Sequence, residues 1–550
     1  MRQFTRRALL AGTSAVAASS LTSLLAIRSA AGQSPCPTKT IKEFLADAKT
    51  QALSPQERAA LVDQAIALLN DFYAHLPLKR ALYGIDPLER LRLLRQRLTV
   101  LGSDPAFHGE MRDIFVSLRD LHTVYLLPDP YQSSHAWLPF KVETCVEGGR
   151  PIYIVSRVVD GFVHPTFGVG VEVLSFDGIP VARAAELMGQ NGATPAARQA
   201  LGLARLTYRA LFWEPPPRED SVLIHYKAGR KEYEISIPWS ISTLPALDPC
   251  ANDPQPCTEI QQLQKFRQFL YAPFENCSPF GVPERIRTPD GLFGYLRIFS
   301  FEKSLLGDDA FVRKFKGLVA DLARDTKGLI IDVRDNGGGS TRAGERIIQF
   351  ITPTNRQIEP SRLYFVANPV TLKFCQLPTT SDLGPNGLQP WIPSIQNALQ
   401  NQGTFSEAFQ YTKDEAANEP TRTSFPGPVI VITSALSYST AEFFAAGFQD
   451  HGGMILGVDE STGGGGAGVR GQDQLLGYFA DANQPPPLQP LTRGGFTCAF
   501  RRSVRVGLGS GIEIEDRGVL RDRPYAMTRQ DLLNHNQDLK REAARLLAQM

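Results

Sequence analysis

Two stretches of the chain carry residues arranged for chemistry. Ala435-Leu-Ser-Tyr-Ser-Thr-Ala-Glu442 follows the β-rich apolar run Pro428 to Thr433 and leads into a helical pattern, Ala441 to Gln449. Gly328-Leu-Ile-Ile-Asp-Val-Arg-Asp-Asn-Gly-Gly-Gly339 repeats the logic, with an apolar run emptying into small and polar residues. A serine at a strand-to-helix turn has its hydroxyl exposed. The amide after it lies at a helix N-terminus, where unpaired N–H groups and the macrodipole favour negative charge. That combination suits a nucleophile with half of an oxyanion hole beside it. In the glycine run, backbone N–H groups can face a ligand without a Cβ in the way.

The Asp332-to-Gly339 and Ser437-to-Glu442 turns resemble the signature of the C-terminal-processing (tail-specific) and tricorn-core serine peptidases. The resemblance covers residues 286–530 well and extends more weakly back to about residue 105. It implies that the nucleophile is Ser439, three residues before Glu442. Processing members of this family pair the serine with a lysine in a later glycine-containing turn. Here that turn reads Ser461-Thr-Gly-Gly-Gly-Gly-Ala-Gly468, Gly465 stands at the lysine position, and no lysine lies between Lys413 and Lys540. A Ser/Lys dyad is therefore not expected.

The tricorn branch implies a histidine base instead. Leu118-Arg-Asp-Leu-His-Thr-Val-Tyr-Leu-Leu-Pro128 resembles its pattern, which makes His122 the candidate among eight histidines, with His108 and His451 in reserve. A neutral imidazole accepts a serine proton near physiological pH. For the group that orients the imidazole, the resemblance points to Glu515 in Gly511-Ile-Glu-Ile-Glu-Asp-Arg-Gly-Val519. Strand alternation puts Glu513 on the same face, so Glu513 competes with it. Asp450, ending the nucleophile helix, matches an assisting or structural position. The oxyanion donors expected are the amides of Gly338 and Thr440, with Gly337 and Gly339 not separable from Gly338. The run Gly463 to Gly466 lacks the Gly-Lys-Ser/Thr ending of a phosphate-binding loop. Neither a cofactor nor a metal is expected, since no Cys/His spacing looks like a zinc site.

These residues need a scaffold. Arg2, Arg6 and Arg7 precede an apolar run from Ala8 to Ile27 and a small-residue site at Ser29 to Gly32, so residues 1–32 read as a cleaved, twin-arginine-like export signal. The expected location is extracytoplasmic, periplasmic or secreted, with no stable membrane insertion once the signal is removed. Residues 33–137 read as a helical region carrying His122, with a Ser54-x-x-Glu57 capping box opening one helix. Residues 138–242 carry short strands, and Gly170 to Val181 followed by a helix resembles a PDZ core, which could take a peptide as an added strand or serve as a spacer or lid. A long insertion interrupts it near 194–213.

A Cys/Pro-rich linker, 243–285, follows; Cys250 and Cys257 flank a loop that suits a disulfide, and Cys277 lies close by. In 286–550 strands alternate with helices, which means βαβ units and a largely parallel sheet. The resemblance implies a crotonase-like αββ-superhelix there, so the fold class expected is α/β with an N-terminal helical region and a degenerate PDZ-like domain. Residues 380–425 and 481–495 read as Pro/Asn/Gln-rich loops at the site rim.

With 550 residues and 43% hydrophobic content the chain can fill several cores. A net charge of +2, with four arginines in the signal, leaves no basic surplus for a nucleic-acid partner. The expected function is an exported serine endopeptidase acting on polypeptides. The competing readings are a non-catalytic binder of peptides or apolar ligands on the same fold, and an esterase using the same triad.

Overall fold

The computed structural model describes residues 39–159, 161–243, 278–302, 306–480 and 486–550. The export segment and Cys250, Cys257 and Cys277 lie outside the described residues. Cys145, Cys375 and Cys498 are buried free thiols.

The main sheet of the C-terminal region runs in the order Glu284–Thr288, Gly291–Arg297, Leu329–Asp332, Val429–Thr433, Met454–Gly457, Arg523–Pro524. Its first pair is antiparallel and the rest are parallel, with Leu329 opposite Val429 and Ile432 opposite Asp332. Leu329–Asp332 and Val429–Thr433 are buried at every position, which is why they read as unbroken apolar runs rather than alternating ones. Helix Gln537–Leu547 packs Leu539, Ala543, Ala544 and Leu547 on one face, against Ile330, Ile430 and Leu456. The parallel alignment ends Leu329–Asp332 and Val429–Thr433 side by side, so the glycine turn and the serine turn emerge together.

A second sheet is built on the long strand Gly495–Val504. Ala467–Gly471, Arg362–Tyr364 and Tyr125–Leu126 all pair with it antiparallel. The last of these matters for position. Tyr125 lies opposite Phe496, and Thr123 Oγ1 accepts the Ala499 amide at 3.0 Å, so the turn carrying His122 is pinned to the C-terminal region.

That turn leaves the helical region, whose helices include Pro55–Asp71, Leu76–Tyr83 and Asp104–Val116. The expected capping box is present: Glu57 N donates to Ser54 Oγ (3.2 Å) and Ser54 N to Glu57 Oε2 (2.8 Å). Leu61, Ala65, Leu68 and Leu69 form its buried stripe.

In the middle region Phe140–Glu147, Arg150–Val158, Glu172–Phe176, Ser221–Ala228 and Lys231–Pro238 form one antiparallel sheet in that order. The stretch expected to interrupt it is integral instead. Helix Pro195–Arg205 packs on helix Val181–Met188 so closely that a Cβ on Gly202 would lie 1.7 Å from the Ala185 carbonyl oxygen. Its other side, Ala197 and Leu201, meets Leu121 and Tyr438. The outer edge of Phe140–Glu147 is partly taken by the chain itself, since Val146 N donates to Met527 O at 2.8 Å.

Residues 380–425 also differ from the loops expected. Helix Trp391–Gln400 buries Trp391, Ile395 and Ala398, and Trp391 Nε1 donates to Leu363 O at 2.9 Å. Proline and glutamine content hid an apolar spacing that the helix satisfies. Among the described residues no helix is long and apolar enough to cross a membrane.

Candidate active site

Ser439 is the N-cap of helix Thr440–Asp450 with φ 57° and ψ −121°, a backbone conformation costing a non-glycine residue about 1–3 kcal/mol. The surroundings enforce it. Asn336 O accepts the Tyr438 amide (2.9 Å), and the Glu442 carboxylate accepts the Ser439 amide (3.1 Å). Glu442 also accepts Thr462 Oγ1 (2.6 Å), Gly464 N (2.8 Å) and Gly465 N (2.7 Å), which ties the later glycine loop to the nucleophile turn. Burial pushes the Glu442 carboxyl up to about 7, against those four donors. Ser437 is a structural neighbour: its hydroxyl donates to Val333 O (2.8 Å) and accepts Ser434 N (3.0 Å).

The glycine turn lies on the serine. A Cβ on Gly338, at φ +103°, would fall 2.6 Å from Ser439 Cβ and 2.8 Å from Thr440 N. Of the two expected oxyanion donors, the Thr440 amide has no acceptor among the described residues, whereas the Gly338 amide donates to Asn336 Oδ1 at 2.9 Å. Asn336 is wholly buried and its Nδ2 donates to Ile298 O (2.9 Å), so it holds the turn in shape. Asp332, at the strand end, accepts Tyr295 Oη (2.7 Å) and the Arg334 guanidinium (2.8 Å). Although burial opposes it, Arg334 and Arg297 hold its carboxyl below the usual range.

His122 is fully buried, its ring lies 4.7 Å from that of Tyr438 at a tilt of 40°, and neither ring nitrogen has a hydrogen-bond partner. Burial lowers its pKa to about 4, with Asp120 acting the other way, so the imidazole is neutral at neutral pH. Asp120 Oδ1 accepts the His122 amide (2.8 Å) and lies 4.0 Å from Nδ1. The reserve histidines are engaged elsewhere. His108 Nδ1 meets Tyr125 Oη (2.9 Å), and His451 accepts Glu359 N at Nε2 (2.9 Å) while its Nδ1 faces Gly447 O (2.6 Å).

Behind His122 lies a buried charge cluster. Glu515 pairs with Lys79 Nζ at 2.8 Å and faces His75 Nε2 at 3.5 Å. Lys79 also pairs with Asp516, whose Oδ1 accepts Tyr83 Oη (2.8 Å). Burial works against the ammonium, but Glu515 and Asp516 hold its pKa above the usual lysine range. His75, Asp120 and Glu515 bring donor atoms within 4.8 Å of one another, and Lys79 is the cation that meets them. Glu513 turns away to Arg502 (2.6 Å), and Asp450 pairs with Arg505 (2.5 Å).

Residues 292–475 match the model of peptidase family S41. This region is a serine-type peptidase domain of family S41. Residues 134–244 match a PDZ domain model, so the middle region is a PDZ domain. Among solved structures, mature CPAF complexed with lactacystin aligns with a TM-score of 0.64 and 18% identity, covering 90% of this chain and 98% of that one. Mature CPAF aligns with the same TM-score and 16% identity, covering 90% and 97%. At this identity the likeness establishes the shared fold. No curated protein sequence matches.

The structure of the S41 peptidase explains why its lysine position is glycine. A Cβ on Gly465 would lie 1.9 Å from Cζ of Tyr438 and 2.1 Å from its hydroxyl oxygen. Tyr438 fills the volume a lysine would cross, and its hydroxyl accepts the Leu121 amide at 3.2 Å beside His122. Gly465→Lys must therefore expel Tyr438 from its contact with the His122 turn. We expect this variant to melt several degrees lower, by about 1–3 kcal/mol of overpacking, and to restore no hydrolysis when combined with His122→Ala. Recovery of activity in that double variant, measured on a peptide substrate, would refute the steric account.

Asp120, His75, Lys79, Glu442 and Tyr438 were not singled out from sequence. Glu442 and Tyr438 stood inside the quoted motif, and Asp120 stood two residues before His122. For Lys79, a lone lysine on an amphipathic helix, no local signal exists.

Proposed function

We propose that this S41 peptidase is an exported endopeptidase in which Ser439 attacks the peptide carbonyl and His122 is the base. The proton of Oγ passes to the imidazole as the Oγ–C bond forms, and the carbonyl electron pair moves onto oxygen, where the Thr440 amide stabilises it. His122 then returns the proton to the leaving amine. The Asp120 carboxylate supplies the negative field that favours the transient imidazolium. The observation that carries this reading is the strained Ser439, whose neighbour Tyr438 lies 4.7 Å from the ring of a neutral, hydrogen-bond-free His122 imidazole. Export rests on Arg6-Arg7 and the apolar run after it.

Treatment of signal-free protein with a fluorophosphonate probe, followed by peptide mapping, tests the assignment. The expected adduct is on Ser439 and is lost in His122→Ala. An adduct elsewhere, or none in folded protein, would overturn it.

A further inference from the structure

Buried arginines in this chain pair with carboxylates: Arg334 with Asp332, Arg205 with Glu214, Arg502 with Glu513, Arg505 with Asp450. Arg501 does not. Only 2% exposed, its guanidinium lies 4.9 Å from the centre of the Tyr411 ring and 4.8 Å from that of Phe500, and NH1 donates to Leu383 O at 2.7 Å. Its Nε is buried without a partner. Aromatic faces offset part of the cost of such a charge but supply no counter-ion.

Two further arginines converge on the same spot. Arg342 lies 4.8 Å over the Tyr411 ring, and Arg470 lies 5.8 Å over Phe500. Among the described residues neither they nor Arg501 has a carboxylate within ion-pair distance. The nearby exposed Asp382 gives Arg342 its backbone carbonyl (2.5 Å), and its charge reaches Arg470 from beyond ion-pair distance. Arg342 and Arg470 are half-buried and so reachable from solvent. Both are carried on elements that follow turns packed on the nucleophile segment. Arg342 opens helix Thr341–Ile348 just after the glycine turn packed on Ser439. Arg470 lies on strand Ala467–Gly471, which leaves the loop bound to Glu442.

We propose that Arg342 and Arg470, backed by the buried Arg501, bind a carboxylate of the substrate and make acidic peptides the preferred class. Arginine forks match carboxylates bidentately, and the unneutralised charge beneath strengthens the field. This specificity rests on the peptidase reading of Ser439. The carboxylate comes either from a Glu or Asp side chain or from the peptide's C-terminus.

The test uses full-length, signal-free Ser439→Ala protein, so that binding is read without turnover. Fluorescein-labelled peptides of one sequence, containing either Glu or Gln and ending in either a free acid or an amide, are titrated by fluorescence anisotropy. At least one carboxylate-bearing peptide should bind about 10-fold more tightly than its neutral counterpart. The pair that differs identifies the source of the carboxylate. Arg342→Gln with Arg470→Gln, both partly exposed sites, should erase the preference while the melting temperature holds. Equal binding of all four peptides, no binding, or a preference that survives in the double variant would overturn the proposal. Failure of Ser439 to label with fluorophosphonate would strike the peptidase mechanism alone and leave this binding preference standing.

Discussion

Ser439→Ala protein should hydrolyse casein or a peptide at least about 10⁴-fold more slowly than wild type while melting at the same temperature. The hydroxyl is the only atom removed, and the backbone of residue 439 is held by the Tyr438 and Ser439 amide bonds, which alanine keeps. His122→Ala should fall to a similar level, and the double variant should be hardly worse, because nucleophile and base act as one unit. Wild-type activity in either single variant would remove that residue from the mechanism. The pH profile adds an independent check. Only the neutral imidazole can accept the proton, and burial holds its pKa at about 4. The acid limb of kcat/KM should therefore lie well below the value of 6.5 for a free histidine. Stability moves in the same window. His122 and His108 both titrate near 4 when folded, so the unfolded chain binds more protons between about 4 and 6.5. The contribution of these two histidines to stability then declines as pH falls through that range, while Glu442, pushed up to about 7, acts the other way. An acid limb at 6.5 would show that a different base is at work.

Lys79→Met should destabilise the protein by about 3–5 kcal/mol, read as a fall of several degrees in a thermal melt. Lys79 is fully buried and balances Glu515 at 2.8 Å together with Asp516. Methionine matches the stem in volume but removes the ion pair of Glu515 and leaves Asp516 with Arg502 at 3.8 Å as its remaining cation. Neutralising one of the two carboxylates in the same protein, with Glu515→Gln, should recover part of the loss. If Lys79→Met melts as wild type does, the cluster is not the electrostatic bolt between helix Leu76–Tyr83 and the C-terminal region that its geometry suggests.

Legibility followed range. The serine and glycine turns could be read because each is a local strand-to-turn pattern, and the parallel sheet that joins them follows from uninterrupted apolar strands. The absent lysine was equally plain at Gly465. The ring that replaces it was not, because Tyr438 meets Gly465 only in three dimensions. Glu515 and Lys79 come from opposite ends of the chain, so no window of sequence joins them. Helix Trp391–Gln400 shows a different failure. Its apolar residues have helical spacing at Trp391, Ile395 and Ala398, but the surrounding proline, asparagine and glutamine mask that periodicity.

The contact of Leu121 and Tyr438 with Ala197 and Leu201 has a temporal meaning. Base, nucleophile and the wall beside them come from regions that are synthesised one after another, and Glu515 arrives near the very end. A nascent or partly folded chain holds a serine without its partner and a histidine without its target. On the proposed mechanism, hydrolysis therefore requires all of these regions to be folded against one another.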